Sequence, residues 1–192
     1  MELSVVMIIF GLVATTLFQA FFLYHLKKGR EDTLEALKKS QIAVFEFRSN
    51  YGRYPCPANI SLGRGDPGYG VEDCDSAEEV AGRDVDNNGE PDKVLIGGYP
   101  YVTIYATLTD PDGDPTTEDG MFYTGLSESE TIDSWGNKFT YAVTKKLTES
   151  ETYNDFWGAI DIVDEHDLSV LAEEGTAHFV VVSHGENGKG AY

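Results

Sequence analysis

From Leu3 to Leu26 the chain reads LSVVMIIFGLVATTLFQAFFLYHL, a run in which only His25 can carry a charge. A helix rises about 1.5 Å per residue, so a run of this length can cross a hydrocarbon core of about 30 Å. It is longer than the apolar stretch of a cleavable signal, and it gives way to HLKKGRED rather than to a small-residue cleavage site. Residues 1–26 are therefore expected to form a retained membrane anchor. Glu2, at the head of the run, is the anomaly. A carboxylate inside a bilayer costs roughly 2.5–3.5 kcal/mol and needs a partner or a task.

Beyond the anchor, EDTLEALKKSQIAVFEFRSNYG is rich in helix formers, and Leu34, Leu37, Ile42 and Phe45 keep roughly one face apolar. Residues 27–50 are expected to continue the helix as an amphipathic half, ended by NYGRYP. Fifty helical residues extend about 75 Å, more than twice a bilayer core, so the second half must pack on the remainder of the chain, 51–192. Gly29 is where such a rod would bend or melt.

From Tyr54 to Lys93 the composition turns to Gly, Pro, Asp and Asn, the chemistry of a loop that is usually functional or pinned by a cross-link. The two cysteines, Cys56 and Cys74, stand close together there. In an anchored chain they point to a disulfide outside the cytoplasm, about 3 kcal/mol for a loop of that size. Two unrelated buried thiols are the alternative, and the spacing is not that of a zinc site. Four β-rich runs follow, YPYVTIYATL, KFTYAVT, FWGAIDIVD and HFVVVSHG. They suggest an antiparallel sheet with one face on the long helix, an α+β fold.

A formal charge of −19, from 33 acids against 14 Lys plus Arg, argues against nucleic acid as a partner, because that affinity depends on cationic side chains. The acids cluster instead. In DVDNNGEPD, Asp84, Asp86, Asn88 and Asp92 alternate around Gly89 and resemble a calcium loop, although Leu95 stands where an EF-hand carries its bidentate acid. In DPDGDPTTEDG, Asp110, Asp112 and Asp114 alternate, with Glu118 or Asp119 to close a site. An acidic turn held by its own backbone accounts for either stretch without a metal.

Lys27, Lys28 and Arg30 follow the anchor and would hold the domain in the cytoplasm, whereas the cysteines point outward. A basic leader ahead of Met1, removed in processing, would reconcile the two. No nucleophile elbow, phosphate loop or histidine metal motif is present, and Ser183 and His184, adjacent on a strand, face opposite ways. The chain is not expected to be an enzyme. Trp135 and Trp157 read as core or interface aromatics.

Taken in order, several stretches resemble the type IV pilin and pseudopilin superfamily. MELSVVMIIFGLV is similar to its membrane-inserting segment, SNYGRYPCPA to the junction after its long helix, DSWGNKFTYAV to a Trp-Gly-Asn strand start, and HFVVVSHGENGKGAY to the last strand of members with a Cys-Pro junction. The resemblance covers most of the chain and implies a filament subunit. A prepilin peptidase would trim a basic leader, and Glu2 would meet the Met1 amine of a neighbouring copy during assembly. Only one residue precedes Glu2, where the family has several. The implied partners are further copies of the chain, the bacterial inner membrane before assembly and the pilus assembly machinery, with an extracellular filament as the end state. The resemblance also admits a pseudopilin of a type II secretion system. An anchored binding protein that never polymerises is the reading from outside the family.

Overall fold

The computed structural model describes residues 2–109, 131–151, 153–173 and 176–189, without the side chains of 2–6, 8–9 and 106–109. One helix, α1 (Glu2–Tyr51, 50 residues), runs unbroken through Gly29. It stops at Gly52, whose φ of +66° is the left-handed conformation that closes a helix end. Its amide donates to the Arg48 carbonyl at 2.8 Å.

Four strands follow, β1 (Glu78–Ala81), β2 (Lys93–Gly98), β3 (Thr140–Thr144) and β4 (Phe179–Val182), with a helix α2 (Tyr101–Thr109) between β2 and β3. They form one antiparallel sheet in the order β1-β2-β3-β4. The pairs Leu95↔Val143 and Tyr141↔Val181 set the register. Alternation along the strands then sends Leu95, Tyr141, Val143, Phe179 and Val181 toward α1, and Val80, Val94, Ile96 and Ala142 to the opposite face. The fold is α+β, a long N-terminal helix on a four-stranded antiparallel sheet.

The face that α1 buries is not the one its bulkiest residues suggest. Thr33, Ala36, Ser40, Ala43, Val44 and Phe47 are buried, each with a neighbour in the set three or four residues away, as a helical face requires. Small side chains there let the helix lie close on the sheet. Leu34, Ile42 and Phe45, expected to share the packed face, are exposed; Leu37 packs against the core, and Phe45 meets the Phe179 ring edge-on, centroids 5.2 Å apart.

Two of the four β-rich runs become strands, β3 and β4. YPYVTIYATL instead gives α2: Pro100 presets the backbone just before its start, and the Ile104 amide reaches back to the Pro100 carbonyl at 3.1 Å. Burial of Ile104 in the core shared with α1 outweighs the strand preference of its β-branched residues. FWGAIDIVD contributes only isolated bridges, Ile160↔Ala177 and Val163↔Ser169. The other two strands, β1 and β2, lie in or beside the stretch read as loop.

That stretch is held down at several points. Cys56 and Cys74 are bonded, with Cα atoms 5.1 Å apart. Arg53 donates to both Glu72 oxygens at 2.9 and 2.8 Å, and the Cys56 amide donates to the same carboxylate at 2.9 Å. Ala58 pairs with both Glu72 and Gly98, so close to Gly97 that a Cβ there would meet the Ala58 carbonyl oxygen at 2.6 Å.

Candidate functional site

Every side chain from residue 10 to residue 25 for which burial is described is exposed, including Phe10, Leu12, Leu17 and Phe18, the last at 72%. The two threonine hydroxyls in this stretch are satisfied within the helix. Thr15 and Thr16 donate to the Gly11 and Val13 carbonyls at 2.7 and 2.9 Å. Such internal pairing suits surroundings without water. Among the described residues no helix is long and apolar enough to cross a membrane. The most apolar part of the run, Leu3 to Ile9, is largely outside the described side chains, and Gln19, Tyr24 and His25 dilute the remainder. Glu2 lies at the start of α1, but its side chain, like Met1 altogether, is outside the described residues, and so is any contact between them.

Where α1 meets the domain, the DSWGN turn holds it. Ser134 Oγ donates to the Gly29 carbonyl at 2.8 Å and lies 3.1 Å from Thr33 Oγ1. The buried Asp133 organises the turn. It accepts from the amides of Trp135 (3.0 Å) and Asn137 (2.8 Å), and from Ser183 Oγ at 2.9 Å. Ser183 is thus committed to Asp133, and His184 Nε2 lies 2.7 Å from Thr140 Oγ1, so the adjacent pair forms no nucleophile and base.

A second clasp joins the end of α1 to the 153–155 segment. Arg48 donates to the Tyr153 hydroxyl at 2.8 Å and to Asp155 Oδ1 at 2.5 Å, and His178 bridges Tyr54 and the Asp155 carbonyl. The Tyr153 hydroxyl, with Arg48 beside it, holds the Asp155 carboxyl below its ordinary range. Sequence reasoning did not find this cluster, since its members come from three separated segments.

In the acidic loop, Asp84, Asp86 and Asp92 each bring a carboxylate oxygen within 4.8 Å of the others, a spacing that can hold a metal ion. Their oxygens are already engaged. Asp84 accepts from the amides of Asn88 (3.2 Å) and Gly89 (2.8 Å), Asp86 from Asn88 (3.3 Å), and the buried Asp92 from Val85 (2.8 Å). The remaining oxygens of Asp86 and Asp92 each lie 2.6 Å from Lys146 Nζ. That ammonium holds the Asp86 carboxyl below its ordinary range. The Asn88 side-chain oxygen accepts from the Glu90 amide at 2.8 Å. Asp110, Asp112 and Asp114 lie outside the described residues.

No family model matches the chain, and no curated protein or solved structure matches it. Its residues and geometry alone bear on its function.

The two tryptophans serve packing. Trp157 joins the core and lies under Lys146, 5.2 Å from Nζ to the ring centroid, and Trp135 borders Gly29. Behind the sheet, Val80, Val94, Ile96, Ala142 and Ala159 line an open cavity of about 820 Å³, with Arg83 and Asp161 among its walls.

Proposed function

We propose that this chain is the structural subunit of an extracellular type IV pilus-like filament, in which α1 packs against the same helix of neighbouring copies. The observation that carries this reading is the apolar surface of α1, exposed throughout residues 10–25 and continued along the domain by Leu34 and Ile42. Each such side chain taken out of water is worth about 1.5–3 kcal/mol, which makes a lone monomer in water unfavourable. In this reading the first half of α1 is held in the inner membrane before assembly. The run from Leu3 to Leu26 supplies the length for that, its first residues adding the hydropathy that the later ones lack.

Glu2 meets the Met1 amine of the next copy in this account, and an ion pair removed from water fixes register because either charge alone is costly there. The Asp133 turn, which clamps α1 to the last strand, also suits a pseudopilin of a type II secretion system. Filament length and subunit abundance distinguish that reading.

The test is assembly of Leu34→Glu and Ile42→Glu chains in cells. The account expects filaments to be lost while the melting temperature of the purified full chain in detergent stays within a degree or two of wild type. Unchanged filaments in both variants contradict it.

A further inference from the structure

We infer that the ammonium of Lys146 is the resident cation of the Asp84–Asp92 loop, placed where a calcium ion would otherwise sit. The loop gathers three carboxylates within 4.8 Å, and carboxylates so close repel one another unless a positive charge stands among them. Lys146 Nζ meets that need directly, 2.6 Å from Asp86 Oδ2 and 2.6 Å from Asp92 Oδ1.

Its position is fixed by the fold. Lys146 lies in the 3₁₀ turn Lys145–Leu147 immediately after β3, beside the fully buried Leu147. Its charged end lies 5.2 Å from the centroid of the Trp157 ring, within cation–π range. A calcium ion takes six to eight oxygen ligands at about 2.3–2.6 Å. Here each carboxylate oxygen of the three aspartates already accepts a backbone amide or the lysine, and Asn88 is turned to Glu90. A divalent ion would have to expel the ammonium, and it would be repelled by that ammonium until it did.

The consequence is a loop ordered without metal. With its charges balanced internally, it seats Val85 against Val94 and Ala159 on the outer face of the sheet. The inference is independent of the filament reading, since it concerns a loop far along the chain from α1.

The experiment uses the purified full-length chain in detergent, with terbium as a luminescent probe excited through Trp157, and thermal melts in calcium or in excess chelator. Wild type is expected to give no saturable terbium signal that Asp86→Asn removes, and the same melting temperature in calcium and in chelator. Lys146→Met is expected to gain saturable terbium luminescence displaced by calcium, and a melting temperature raised by calcium. If Lys146→Met does not fold, wild type and Asp86→Asn decide. Equal loss of melting temperature for Asp86→Asn in calcium and in chelator upholds the lysine. A wild-type terbium signal abolished by Asp86→Asn, or a wild-type chain destabilised by chelator, overturns it.

Discussion

Arg53 and Glu72 face each other as a two-pronged pair, guanidinium to carboxylate at 2.9 and 2.8 Å, across the loop that Cys56 and Cys74 close. Both side chains are largely shielded, and Glu72 also accepts the Cys56 amide. Glu72→Ala leaves that amide without its acceptor and the guanidinium with the Tyr54 carbonyl, 3.2 Å away, in place of the two carboxylate oxygens. The expected cost is about 2 kcal/mol, read from urea denaturation of the full chain in detergent.

Tyr99 and Tyr141 are both buried, but only Tyr99 has a described acceptor, the Ser40 carbonyl at 2.8 Å. Tyr99→Phe should therefore cost about 1 kcal/mol, while Tyr141→Phe should be neutral or stabilising. Burial raises both phenols above their ordinary value. A folded value above the unfolded one, about 10, means that this stability is present below the unfolded value and is lost as pH rises from there through the folded one. Alkaline unfolding is expected above pH ~10, and Tyr141→Phe should move its onset upward, which a melt series across alkaline pH checks.

Acid acts on the opposite sign. Asp155 and Asp86 are held below the ordinary carboxylate value, by the Tyr153 hydroxyl and by Lys146 respectively. Their contributions are present above the unfolded value, roughly pH 4, and are lost as pH falls through the folded one. Asp155→Asn should flatten the acid limb of the stability profile, measured by denaturant midpoints across that range.

Much of this architecture was legible in the sequence. The helix to Tyr51, the bonded cysteines, β3 and β4 follow from composition, spacing and turn residues. What escaped depended on tertiary context. Ile104 lies in a run rich in β-branched residues and aromatics, yet Pro100 and the core it shares with α1 make that run a helix. KVLIGG follows an acidic loop and carries two glycines, so it did not read as the strand that it forms between β1 and β3. Leu34, Ile42 and Phe45 read as a packed face because they are apolar, whereas Ala36, Ser40 and Ala43 make the close contact because they are small. In the acidic loop Asp84, Asp86 and Asp92 do come together as their spacing suggests. Lys146, 54 residues beyond Asp92, carries no sequence mark of its part in the cluster.

Gly29 lies under the DSWGN turn, where an added Cβ would come 3.4 Å from Ser134 Cβ. Gly29→Leu should lift Ser134 off the helix and cost about 1–2 kcal/mol, since a larger side chain overfills a close contact. A shift in Trp135 fluorescence at unchanged helicity checks this.

Electron microscopy of material sheared from cells carrying wild type or Glu2→Ala, with the sheared protein identified by mass spectrometry, tests the filament account most directly. The account predicts wild-type filaments built of this chain and their loss in Glu2→Ala. Abundant wild-type chain in the membrane fraction with no filament in the sheared material would contradict it.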